Sequence, residues 1–147
     1  PQRPGPIVGA SGETLGQHQG IQGFTIGQRR GLGVTTGEPA FVTAIDPATD
    51  TVHLGREADL LTTHFVARDS RWFVPVPHEP IRVDVKVRYR AEPVPGRVHC
   101  DASGRVHIAL ETPARAVAPG QAAVFYKGER VIGGATIDRA PFDAENV

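Results

Sequence analysis

The sequence predicts a mainly β protein: a small α+β module followed by an antiparallel β-barrel of six short strands. Three observations carry that prediction. The 147 residues include 17 glycines and 13 prolines, which punctuate short extended segments. No window sustains the i, i+3, i+4, i+7 apolar spacing of a long helix. Several short runs alternate apolar and polar residues with the period of a strand. Apolar residues at 39% and charged residues at 22% give enough material for a core. Sixteen basic and sixteen acidic side chains cancel, which argues against a histone-like or tail-type polycation. No apolar run reaches the roughly 18–20 residues of a membrane span. The single cysteine excludes an internal disulfide and a CxxC metal site. No membrane contact and a cytoplasmic location are expected.

The chain opens Pro1-Gln2-Arg3-Pro4-Gly5-Pro6 and contains no methionine, which fits a piece cut from a larger protein. The best helical candidate is short, from Thr25 to Leu32, with Thr25 as N-cap and Gly31 or Gly33 as terminator. Phe41–Ile45 and Thr51–Gly55 flank Asp46–Asp50, a hairpin with a five-residue loop. The prolines of Pro75-Val76-Pro77-His78-Glu79-Pro80 favour extended backbone and mark the expected boundary. Residues 1–74 form the first unit on this reading, and residues 75–147 the barrel. Closing the sheet removes exposed strand edges from a small domain.

Within the second unit, Ile81, Val83, Val85, Val87 and Tyr89 share one strand face, and Arg82, Asp84, Lys86, Arg88 and Arg90 the other. Two more hairpins follow. One joins Val98–Cys100 to Arg105–Leu110; the other joins Ala122–Tyr126 to Arg130–Ile137.

Few residues invite chemistry. Cys100 neighbours His99, but adjacent strand residues point to opposite faces, so the pair cannot act as nucleophile and base. Cys100 is expected to be a small apolar residue. The six histidines show no HExxH-type spacing. His99 and His107, placed across one hairpin, would suit a weak metal site, but lone strand histidines are ordinarily partly exposed, and no metal is expected. Gly31–Gly37 lacks the spacing, lysine and helix of a phosphate loop. No catalytic residue is assigned. The basic segment is more informative: between Arg82 and Arg97, five cations stand against Asp84 and Glu92. Such a strip can contact several phosphates, or form a solvated outer face. Arg29-Arg30 is a second basic pair, ambiguous by itself.

Taken together, several blocks resemble one family. Gly16-Gln17-His18-Gln19-Gly20 and Phe24-Thr25-Ile26-Gly27-Gln28-Arg29-Arg30-Gly31-Leu32-Gly33 resemble the central domain of the bacterial tRNA-specific 2-thiouridylases. Pro4–Val8 resembles the opening of that domain, and Arg68-Asp69-Ser70-Arg71-Trp72 the stretch leading into the C-terminal domain. Val87-Arg88-Tyr89-Arg90, Ala118-Pro119-Gly120-Gln121-Ala122-Ala123-Val124-Phe125-Tyr126 and Gly133-Gly134 resemble elements of that C-terminal domain. The resemblance covers nearly the whole chain, in order and spacing.

The resemblance implies a function. Such enzymes thiolate the wobble uridine of certain tRNAs, using ATP to adenylate the base and a cysteine persulfide to deliver sulfur. Their SGGVDS-type ATP loop and both catalytic cysteines belong to an N-terminal domain, and none of those motifs occurs here. The chain is therefore expected to hold tRNA without being catalytic alone, and to bind no cofactor. Its expected partners are tRNA, the parent's ATP-binding catalytic domain and, in the parent, a sulfur-relay protein. The implied tRNA-binding residues are Arg88, Tyr89, Arg90 and Gln121. Arg29 and Arg30 are a second contact, with tRNA or with the catalytic domain. The alternative is a β-barrel that binds protein within the translation apparatus.

Overall fold

The computed structural model describes residues 2–87 and 91–138. The chain divides between Leu61 and Thr62 into two compact units. The first is a four-stranded mixed sheet in the order β2-β1-β4-β3: β1 Gly5–Val8, β2 Thr14–His18, β3 Phe41–Asp46 and β4 Thr51–Gly55. β1 runs antiparallel to β2 and parallel to β4. β3 and β4 form the expected hairpin. Ile7, Leu32, Val42, Val52 and Leu54 make the core of this unit.

The helix expected over Thr25–Leu32 is not formed. Helical turns among the described residues are 3-10 in type, at Ile21–Gly23 and Glu57–Leu60. At Thr25-Ile26-Gly27-Gln28 the chain makes a type II turn instead, with Gly27 at φ +93 and Gln28 N–H donating to the Thr25 carbonyl at 3.0 Å. A glycine in that conformation breaks the helical path.

The second unit is a closed six-stranded antiparallel barrel in the order β10-β5-β8-β7-β6-β9. Its strands are β5 Leu61–Trp72, β6 Ile81–Lys86, β7 Val94–Cys100, β8 Val106–Arg115, β9 Ala122–Lys127 and β10 Arg130–Ile137. The alternation read for β6 holds in the described part: Val83, Val85 and Val87 are buried and Arg82 is exposed. Phe65, Val98, Ile108, Phe125 and Ile137 fill the interior with them. Trp72 stacks on Phe125 with ring centroids 5.3 Å apart.

The boundary differs from the sequence expectation. β5, assigned there to the first unit, is a wall of the barrel, pairing with β10 from Trp72–Gly133 to Ala67–Ile137. The proline-rich segment is likewise tied to the barrel: Phe73 N–H donates to the Ile132 carbonyl at 2.9 Å, and Cys100 N–H donates to the Pro77 carbonyl at 2.7 Å. Prolines signalled an extended connection between two barrel strands, not a linker between units. β5 is long because it bends. Ser70 and Asp69 together face Ala135, a bulge in which Asp69 takes φ +54.

Candidate nucleic-acid interface

Arg88, Tyr89 and Arg90, the central residues of the basic strip, lie outside the described residues. The strip's first cation, Arg82, is not free: its guanidinium meets Glu111 at 3.2 Å. Arg97 lies directly across from it in the β6–β7 register, exposed.

Gln121 is described. Ala118-Pro119-Gly120-Gln121 forms a type II turn, with Gly120 at φ +86 in the third position and Pro119 in the second. Gln121 N–H closes the turn on the Ala118 carbonyl at 3.3 Å. Two further backbone bonds pin the turn to the end of β10: Gly120 N–H to the Ile137 carbonyl at 2.8 Å, and Ile137 N–H to the Gln121 carbonyl at 2.7 Å. The backbone thus holds the turn unaided, and the Gln121 side chain is exposed with no hydrogen bond among the described residues. Its amide is left to donate and accept outward.

Arg29 and Arg30 are exposed and, among the described residues, meet no carboxylate. They are mounted on a fixed loop. Gly27 N–H donates to the Val42 carbonyl at 2.8 Å, and Val42 N–H to the Gln28 carbonyl at 2.9 Å, so the loop borrows the edge of β3. The Gln28 side chain adds two bonds: Oε1 accepts from Thr25 N–H at 2.9 Å, and Nε2 donates to the Arg30 carbonyl at 2.8 Å. Sequence reasoning missed Gln28 as the organiser of this loop; a glutamine just after a turn glycine was the available signal. Arg29 also borders an open hollow of about 600 Å³ along Gly31–Ala40. The neighbouring Gly16–Gly20 block acts through His18, which is 4% exposed. His18 Nε2 donates to the Asp50 carbonyl at 2.6 Å, and its ring packs edge-on to Phe24.

Cys100 is buried in the barrel, and burial pushes its thiol pKa up, against a thiolate role. His99 does point away from it and stacks on His107, with centroids 4.9 Å apart. His107 Nε2 bonds Asp101 Oδ2 at 2.8 Å. Asp101 Oδ1 accepts from Ser103 Oγ, Ser103 N–H and Arg105 N–H. The Ser103 hydroxyl and His107 hold the Asp101 pKa below the usual carboxylate range. Among the described residues, no three His, Cys, Asp or Glu side chains converge to hold a metal ion. No helix among them is long and apolar enough to cross a membrane.

The architecture defines a two-module β protein, a four-stranded mixed sheet and a closed six-stranded antiparallel barrel. Residues 1–56 match the tRNA methyl transferase PRC-barrel domain, and residues 62–137 the aminomethyltransferase β-barrel domain. The tRNA-specific 2-thiouridylase MnmA of Chloroflexus aggregans is 48% identical over 137 residues, covering 92% of this chain and 38% of that protein. The corresponding proteins of Desulforudis audaxviator and Rhodopirellula baltica are 43% and 45% identical, again over 92% of this chain, and 40% and 35% of their own lengths. The chain belongs to the tRNA-specific 2-thiouridylase family, and it spans about two fifths of the length of these relatives.

Proposed function

We propose that this chain is the tRNA-positioning part of a tRNA-uridine 2-sulfurtransferase. The observation that carries the reading is the match of both units, in order, to proteins named for tRNA 2-thiolation. On this reading no residue here performs a chemical step. ATP, the catalytic cysteines and the contact with a sulfur-relay protein belong to the remainder of the parent enzyme, which acts in the cytoplasm. Arg88, Tyr89 and Arg90 hold phosphates and a base, and Gln121 supplies a hydrogen bond from the barrel end. Arg29 and Arg30 provide a second contact.

The exposed amide of Gln121, without a hydrogen bond among the described residues, supports this reading, as do the guanidinium groups of Arg29 and Arg30, which meet no carboxylate among them. The test is a titration of tRNA with the chain at several salt concentrations, beside an Arg88→Ala/Arg90→Ala variant. Losing two phosphate contacts should weaken binding and flatten the log–log salt slope by up to about 2. Binding of equal strength and slope in a folded variant would refute the assignment of the strip. Loss of binding to a protein partner instead, with RNA binding absent throughout, would favour a protein-interaction barrel.

A further inference from the structure

The segment that follows the arginine pair of the first unit alternates. Leu32 is buried in the core and Val34 packs against it, while Gly31 and Gly33 are exposed. Val34 is held close to β2: its Cγ1 lies 2.7 Å from where a Cβ on Gly16 would stand. Gly31 and Gly33 both take the left-handed conformation, at φ +71 and +75. Crowding does not demand glycine there. An added Cβ would meet nothing within 4 Å at Gly33, and at Gly31 only the Gln28 side-chain nitrogen, at 3.7 Å. The two glycines therefore serve the path of the backbone.

Along that path the backbone N–H groups of Gly31, Leu32, Gly33 and Val34 have no hydrogen-bond partner among the described residues. All four residues line the open hollow of about 600 Å³ that Arg29 borders. Successive backbone donors in a turn with left-handed residues make a concavity that holds anions. Arg29 meets no carboxylate among the described residues, and Glu38 is the one acidic residue lining the hollow. Four N–H donors and a guanidinium against one carboxylate favour an anion. The loop runs on into β3 and not into a helix, unlike the phosphate loop of a nucleotide-binding protein.

A phosphodiester of an RNA strand suits such a hollow. Backbone N–H groups and arginines are both ordinary donors to phosphate oxygens in nucleic-acid complexes. The volume falls in the range of ligand pockets, about 300–1,000 Å³, and so admits a phosphate together with a flanking ribose. The packing of Leu32 and Val34 fixes the donors before any ligand arrives, which lowers the ordering cost of binding. We propose that the backbone amides of Gly31–Val34, with Arg29, hold one backbone phosphate of the bound tRNA. This rests on the tRNA-binding reading and gives its second contact a chemistry: sequence-independent capture of a phosphate by main-chain donors, with the charge of Arg29 added to them.

The test titrates the whole isotope-labelled chain with a transcribed tRNA, with inorganic phosphate and with a glutamate-rich peptide, and follows the amide resonances by NMR. The tRNA should move the resonances of Gly31, Leu32, Gly33 and Val34. Gly33→Asn keeps the left-handed path, which asparagine adopts, and should bind tRNA like the parent chain. Gly33→Val disfavours that path and should weaken binding by about tenfold, the contribution of one charge-assisted hydrogen bond, with the salt slope preserved. If tRNA moves barrel amides but not these, the phosphate site is overturned and the tRNA reading stands. If tRNA moves no amide, both fall. If inorganic phosphate alone moves them, the loop holds an adventitious ion only and the proposal is wrong. If the peptide moves them as strongly as tRNA does, the occupant is an acidic protein and the proposal is again wrong. The parent chain's resonances decide the matter even if Gly33→Val does not fold.

Discussion

Gly133 faces Trp72 across the β5–β10 ladder, and its missing side chain leaves room for that ring. A Cβ added there would lie 2.5 Å from Trp72 Cε3, 3.0 Å from Trp72 Cδ2 and 2.9 Å from the Arg71 carbonyl oxygen, where contacts of 3.4 Å or more are ordinary. Neither neighbour yields easily. The ring is stacked on Phe125 and bonded through Nε1 to Ser70 Oγ at 3.1 Å, and the carbonyl belongs to the backbone. Gly133 is not in the left-handed region, so alanine carries no backbone penalty and the effect is steric. Overpacking of this kind costs about 1–3 kcal/mol. Removing a glycine from the unfolded chain returns about 0.4–1 kcal/mol. Gly133→Ala should therefore lose about 1–2 kcal/mol net, a fall in Tm of about 5–10 °C for a domain of this size. Urea unfolding followed by Trp72 fluorescence reads the barrel directly, since Trp72 is the sole tryptophan. A Trp72→Leu background, followed by circular dichroism because the tryptophan is gone, should remove the ring's part of the penalty and leave the part due to the Arg71 carbonyl. Unchanged stability in Gly133→Ala, or a penalty that persists undiminished without the ring, would refute the packing argument.

Two other perturbations have definite signs. Asp101 has a folded pKa below its unfolded value of about 3.9, so the folded state binds fewer protons there. Its contribution to stability is complete above that value and is lost as pH falls through the folded pKa. Asp101→Asn should be less stable than the parent at neutral pH, with the difference shrinking on acidification; parallel urea midpoints from about pH 2 to 7 would contradict this. Cys100, with its thiol buried and its pKa raised, should resist alkylation at about pH 8 in the folded protein and react readily in denaturant. Rapid stoichiometric modification of the folded chain would show that the thiol is not enclosed as described.

Local alternation made the hairpins legible, because a strand with one buried face writes that face into every second residue. Val83, Val85 and Val87 were placed inward on that basis alone, and they are buried. The separation of Cys100 from His99 was read from the same periodicity. The span of β5 was not legible. Its bulge at Asp69 and Ser70 shifts the alternation midway, so residues on either side do not form one pattern. The unit boundary was misread for a related reason: prolines report local backbone, whereas membership of the barrel is decided by long-range pairing with β10. The helix expected near Thr25 failed because capping signals were weighed without the cost of Gly27, which takes φ +93 inside the expected span. Phe73 went unnoticed as a surface group, since a lone aromatic beside Trp72 reads as core until the strand shows which of the two turns inward.

The Phe24–Gly33 block serves as a mount for Arg29 and Arg30. Its irregular path is held by two backbone bonds to Val42 and two side-chain bonds from Gln28. The side-chain pair acts within the loop, binding Thr25 to Arg30, while the backbone pair anchors the loop to the sheet. Removing the first should therefore loosen the arginines without unfolding the unit, whose core of Ile7, Val42, Val52 and Leu54 is untouched. A typical hydrogen bond contributes about 0.5–1.5 kcal/mol, so losing both in Gln28→Ala should cost about 1–3 kcal/mol of stability. If Arg29 and Arg30 contact RNA, holding them in place spares part of the ordering entropy of binding. Gln28→Ala should then weaken tRNA binding while the salt slope is preserved, because the charges remain. Arg29→Ala/Arg30→Ala should weaken binding and also flatten the slope. Equal, unaltered tRNA affinity in all three proteins would leave the loop with a role in the fold alone.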